Sequence, residues 1–174
     1  GNGTIVHYDG TSWSVMDSGT RERLYDVWGS SGTDVFAVGY NGAIVHYDGN
    51  AWSTMNSGTS TRLLDVWGSA GDNVYAVGRY GTILHYDGST WSKDVDGGFD
   101  DTLNAGVMTL REYSGELYAG TMRASITQRE PASLKIDIEG EGCELRRKDE
   151  SSWPRIGESG FGREGNMAVM AMTE

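Results

Sequence analysis

The chain repeats itself every 39 residues, and no other feature constrains its fold as strongly. Ile5-Val6-His7-Tyr8-Asp9-Gly10 returns as Ile44-Val45-His46-Tyr47-Asp48-Gly49 and again as Ile83-Leu84-His85-Tyr86-Asp87-Gly88. Trp13, Trp52 and Trp91 keep the same step, as do Asp26-Val27-Trp28-Gly29-Ser30 and Asp65-Val66-Trp67-Gly68-Ser69. Val35-Phe36-Ala37-Val38-Gly39 matches Val74-Tyr75-Ala76-Val77-Gly78. A divergent copy follows, in which Trp91 reappears as Trp153 and Val107–Glu112 as Val169–Glu174, both 62 residues later. The added length falls mostly between Gly120 and Cys143.

One unit contains four short β-prone runs: Leu24 to Trp28, Val35 to Tyr40, Ala43 to Tyr47 and Ala51 to Met55. Each ends at a turn pair: Gly29-Ser30, Asn41-Gly42, Asp48-Gly49 and Ser57-Gly58. Asp-Gly between two such runs marks a tight hairpin, because both residues tolerate positive φ. The chain's 26 glycines against 2 prolines fit many tight turns, and no apolar pattern at helical spacing is sustained. A unit is therefore an antiparallel four-stranded meander. One such sheet cannot bury both faces alone and must stack on copies of itself. Four-stranded units of this length do so radially, which makes the expected fold class an all-β propeller of four-stranded antiparallel blades.

The expected organisation is a half blade at 1–20, blades at 24–62, 63–101 and 102–166, and the first strand of another at 167–174. That gives fifteen strands, or about 3.75 blades. The expectation is a fragment of a larger ring or, preferred, a ring completed between copies as a homo-oligomer, since open blade edges invite pairing. Small residues at Ala37, Gly39, Ala76 and Gly78 suit strands crowded near an axis, and the repeated tryptophans suit the wedges between blades.

The pattern HYDGxxW followed by RLxDVWGSxGxxVxAVGxxGxI resembles a bacterial β-propeller repeat found in many proteins, often exported ones. Residues 24–62 and 63–101 carry it fully and 1–20 carry its second half. The last unit, with Gly115-Glu116-Leu117-Tyr118-Ala119-Gly120-Thr121 and Gly142-Cys143-Glu144-Leu145, resembles a related repeat with GELYAGT and GCE signatures. The resemblance implies a scaffold fold, no shared activity, and an extracellular or periplasmic location. HYDGTSW is also similar to the Asp-box of sialidase-type propellers. It lacks one residue between Asp and Gly and has His7 where the box has Ser or Thr.

The net charge of −11 repels phosphate backbones and anionic bilayers, so neither nucleic acid nor membrane is an expected partner. The lone Cys143 forms no internal disulfide and reads as a buried, inert thiol. His7, His46 and His85 recur once per blade, so they do not converge on a metal; packing or a hydrogen bond within each blade is their expected role. Asp9, Asp48 and Asp87 read as turn aspartates, and Asp26 and Asp65 as acceptors for a neighbouring turn or blade. No phosphate loop joins a strand to a helix, and no cofactor is expected. Unique acids (Glu112, Glu116, Asp137, Glu139, Glu141 and Glu144) leave open a sialidase-like carbohydrate-active enzyme as the alternative.

The stronger lead is where the copies differ. Loops between second and third strands share one end of a propeller with the loops between blades. Tyr40, Asn41, Arg79, Tyr80 and the 123–141 insertion, with Arg123 and Arg129, fall there. Tyrosine and arginine are effective contact residues. The sequence therefore points to a binding scaffold for a protein or glycan, leaning away from catalysis.

Overall fold

A computed structural model describes residues 3–95, 99, 104–123 and 143–157. Two strands, β1 (Ile5–Tyr8) and β2 (Trp13–Met16), form an isolated hairpin. Three four-stranded sheets follow. The first holds β3 (Leu24–Ser31), β4 (Asp34–Gly39), β5 (Ile44–Tyr47) and β6 (Trp52–Met55). The second holds β7 (Leu63–Ala70), β8 (Asn73–Gly78), β9 (Ile83–Tyr86) and β10 (Trp91–Val95). The third holds β11 (Asn104–Tyr113), β12 (Glu116–Arg123), β13 (Leu145–Arg147) and β14 (Arg155–Ile156). Each is an antiparallel meander in sequence order, as the four short runs per copy predict. The chain divides into two compact units, Gly1–Gly78 with Ile83–Asp94 and Arg79–Thr82 with Val95–Glu174.

In the first unit, the first two sheets share one apolar wedge. Phe36, Val38 and Ile44 of the first sheet meet Val74, Ala76, Leu84, Tyr86 and Trp91 of the second, with Trp28 and Met55 closing its sides. Phe36 is fully buried, and its ring lies 5.5 Å from Tyr86 and 6.1 Å from Trp91. Burying a side chain of this size is worth about 1.5–3 kcal/mol. The face of the first sheet turned the other way also buries Ala37 and Val45. Strand alternation thus sends apolar groups to both faces, as a sheet stacked on both sides requires. A polar tie crosses the same seam: Asp26 in β3 accepts a hydrogen bond from the Val66 amide in β7 at 2.8 Å. The repeated strand aspartate does serve the neighbouring sheet.

The structure corrects three details of the sequence reading. Gly29-Ser30 and Gly68-Ser69 do not end their strands. β3 and β7 continue through them with a register shift and turn only at Ser31–Asp34 and Ala70–Asn73. Glycine is needed there for close approach, not as a stop: a Cβ on Gly68 would lie 2.6 Å from the Trp28 ring. Gly39 and Gly78 are also small for a local reason. A Cβ at either would fall 2.0 or 2.1 Å from the carbonyl oxygen of Arg23 or Arg62. Nor do all the HYDGxxW tryptophans fill wedges, because Trp91 is buried, Trp52 half-buried and Trp13 70% exposed.

In the second unit, Ser114 and Gly115, both at positive φ, close the β11–β12 hairpin, consistent with a type I′ turn. Thr121 and Glu144 exchange hydrogen bonds of 2.8 and 2.9 Å, which hold the start of β13 against β12. Cys143 is buried beside this pair, and burial pushes its thiol pKa up. The expected strand at 167–174 lies outside the described residues.

Two substitutions test the seam. Gly68→Ala drives a methyl into Trp28 and should cost about 1–3 kcal/mol in urea unfolding, while Gly32→Ala, with open space around it, should be near neutral. Asp26→Ala leaves the Val66 amide without its acceptor and should cost about 1–3 kcal/mol by the same measurement.

Candidate functional site

A polar network recurs in the sheets, and it is structural. In the first sheet Asp34 accepts from Ser30 and meets His46 Nε2 at 2.6 Å. In the second, Asn73 takes the place of Asp34, bonding Ser69 and His85 at 2.8 Å each. Each imidazole stacks on the ring beside it, His46 on Phe36 at 4.4 Å and His85 on Tyr75 at 4.5 Å. In the third sheet the same strand positions hold Glu116 and Arg147, paired at 3.0 Å, with Tyr118 donating to Glu116 at 2.8 Å. Each version ties the start of the second strand to the third strand of its own sheet. A serine, an aspartate and a histidine do meet here, but the aspartate stands between the other two. The imidazole therefore does not contact the hydroxyl, as a nucleophile and its base must.

The turn aspartates are equally structural. Asp9, Asp48 and Asp87 each accept the amides two and three residues ahead, at 2.8 to 3.0 Å. Asp149 builds the same turn in the divergent unit, accepting from Ser151 and Ser152. Sequence reading passed over this fourth copy because Glu150 stands where the others have glycine. The spacing of four residues before Trp153 was the available signal. These amide hydrogen bonds favour the carboxylate. The Asp87 carboxyl falls from 3.8 to about 2, chiefly through the Thr90 and Ser89 amides. At Asp34, burial alone would raise the pKa, but the hydrogen bonds from Ser30 and His46 and the charge of His46 outweigh it.

Of the acids that left glycoside hydrolysis open, Glu112 is exposed on β11, while Glu116 and Glu144 are engaged by arginines. Glu144 is buried against Arg146 at 2.7 Å and Arg155 at 3.5 Å. Glu116 is held below the usual carboxylate range, first by the Tyr118 hydroxyl and then by Arg147. Asp137, Glu139 and Glu141 lie outside the described residues.

The groove with a distinctive chemistry is at the loop end of the first unit. It encloses about 380 Å³ and is lined by Arg21, Glu22, Arg23, Tyr25, Tyr40 and Arg62. Three segments meet there: the loop before β3, the turn at Tyr40–Gly42 and the loop before β7. Close backbone approach fixes their positions. Gly39 lets the Arg23 carbonyl come near, and the Tyr40 amide donates to that carbonyl at 2.7 Å. Gly78 gives the Arg62 carbonyl the same room. The Arg62 guanidinium then lies 5.1 Å from the centre of the Tyr40 ring and 5.5 Å from that of Tyr25, within cation–π range of both.

A second groove of about 430 Å³ follows the outer seam, lined by Ser53, Thr54, Met55, Asn56, Ser89, Thr90 and Trp91. It carries no charged side chain. The Trp91 ring is buried, with its Nε1 directed to Met55 Sδ, and presents no open face to a ligand.

Of the site residues expected from sequence, Tyr40 lines the first groove. Asn41 is exposed beside it in a left-handed conformation. Arg79 and Tyr80 belong to the second unit, where Arg79 bridges Gly106 and Tyr80 is 66% exposed. Arg123 contributes backbone to β12, and Arg129 lies outside the described residues. Sequence reading passed over Arg21, Arg23, Tyr25 and Arg62. The available signal lay at Arg21 and Tyr25, which break the repeat by becoming Ser60 and Leu64 39 residues on, whereas Arg23 and Arg62 keep it.

Among solved structures the chain is similar to one described as YCF48 bound to D1 peptide, a β-propeller. The TM-score is 0.55 at 17% identity, over 88% of this chain and 48% of that one. The chain thus spans about half the length of that structure. No family model and no curated protein matches it. Likeness at this level establishes fold: the chain is an all-β propeller segment of antiparallel blades.

Because folding lowers the Asp34 and Asp87 pKa values, their contributions are complete above the unfolded value of 3.8 and drain away as pH falls through the folded values, about 2 for Asp87. Thermal melts should therefore show stability falling steeply below about pH 4. Asp87→Asn should flatten that dependence, lowering the melt most near neutral pH and changing it little below about pH 2.

Proposed function

We propose that this propeller segment is a non-enzymatic binding module that takes an extended stretch of protein across the loop end of its first blades. The Arg62–Tyr25–Tyr40 groove is the observation that carries the reading. It is the described cleft in which charged and aromatic side chains converge. Elsewhere His46 and His85 are committed to their sheets, and the repeated turn aspartates to their hairpins. The structural neighbour is a propeller bound to a peptide, which supports the same use of the scaffold here. The HYDGxxW and DVWGS repeats support membership of the bacterial repeat family, and on that resemblance we place the protein outside the cytoplasm.

The reading extends to assembly. Val6, Tyr8, Trp13 and Val15 lie on one face of the β1–β2 hairpin, exposed by 54%, 48%, 70% and 75%. Their copies 78 residues on include Leu84, Tyr86 and Trp91, which the first sheet covers. We propose that a second copy of the chain supplies the missing cover. Light scattering should then give a dimer or larger species that Trp13→Glu dissociates. A stable, folded monomer would overturn this part.

Panning a random peptide display library on the immobilised chain tests the binding role. Peptides should be enriched over a blank surface, and Tyr40→Ala should retain them about tenfold less well, as expected for loss of a central aromatic contact. No enrichment, or enrichment indifferent to Tyr40, would reject the reading.

A further inference from the structure

The chemistry of the groove narrows what it recognises. The protein carries a net charge of −11, yet Arg21, Arg23 and Arg62 gather in this one cleft. Among the described residues none of the three forms an ion pair. Glu22 lines the same cleft but does not neutralise them. Arg62 is the most constrained. Its guanidinium is flanked by the Tyr25 and Tyr40 rings, and its Nε is buried without a hydrogen-bond partner.

Arg62 is half-buried with its Nε enclosed, so its terminal nitrogens are the groups left to meet a partner. An anion there would pair a charge that is otherwise uncompensated in the cleft. The planar fork of arginine matches a carboxylate bidentately, and the two rings hold the fork in place before any ligand arrives. We propose that this groove captures a side-chain or terminal carboxylate of an acidic peptide. The proposal rests on the peptide-binding reading above and names the group that anchors the peptide.

Peptide is favoured over other anion carriers by two observations. The net charge of −11 disfavours a long polyanion, whereas a carboxylate or two can sit within reach of three arginines. Glu22 adds selectivity, because it repels densely charged ligands and can accept an N–H from a peptide backbone.

Fluorescence anisotropy on the intact chain tests this with a labelled decapeptide of alternating glycine and glutamate or aspartate, and with its glutamine and asparagine twin. The acidic peptide should bind at least about tenfold more tightly and weaken as salt is raised. Arg62→Gln should erase that preference, and Arg62→Lys should restore only part of it, because lysine keeps the charge without the fork. Arg21→Gln, at an exposed rim position, should reduce the preference severalfold and serves as the check if Arg62→Gln fails to fold. Equal binding of the two peptides, or a preference that survives both glutamine variants, overturns the carboxylate anchor and leaves the peptide reading standing. Binding of neither decapeptide, together with failed panning, overturns both. Sialyllactose or inorganic phosphate binding through Arg62 more tightly than the acidic peptide overturns peptide as the source.

Discussion

A four-stranded sheet of this kind has two faces to bury and too little thickness to bury either by itself. The contact of one sheet with the next is therefore the constraint on which the first unit depends. Phe36 shows how it is met: a ring without solvent access, enclosed by Tyr86 and Trp91 of the following sheet and flanked by Trp28 and Met55. The seam is also keyed. Asp26 must reach the Val66 amide, and Trp28 must lie on the bare backbone of Gly68, so the sheets meet in one register. Nonspecific apolar stacking would tolerate sliding; a hydrogen bond and a ring-on-glycine contact do not.

Much of this was legible in the residues because a repeat presents the same experiment several times. Positions that must be apolar, small or acidic stand out when they recur at a fixed step. Strand order, the hairpin turns and the structural standing of His46 and His85 all follow from that recurrence. Failures came where one residue type serves two purposes. Gly68 reads as a turn residue from sequence, yet it is mid-strand because a ring from elsewhere in the chain needs the space. Gly78 reads as crowding near an axis, yet it makes room for a carbonyl sixteen residues earlier in the chain. Such approaches are long-range, and local propensity carries no trace of them.

The groove was half legible for the opposite reason. Tyr40 was found because it breaks the pattern. Arg62 was missed because it keeps the pattern, being the copy of Arg23. Its distinct role comes from its surroundings, since Tyr25 and Tyr40 of the preceding copy close on it. A repeated residue becomes individual when its neighbours do. The polar network shows the converse. Asp34 with His46, Asn73 with His85 and Glu116 with Arg147 differ in charge and size yet bridge the same strands.

The bare face of the β1–β2 hairpin has a kinetic meaning. In an array where each sheet is sheltered by its neighbours, opening begins at a sheet sheltered on one side only. Amide exchange should accordingly be fastest in β1 and β2, slower in the first sheet and slowest along β8, whose Val74, Ala76 and Val77 have no solvent contact. The lips of the Arg62 groove belong to loops on either side of the first sheet. The proposed groove thus sits midway along this gradient, between the exposed hairpin and the buried strands of the second sheet.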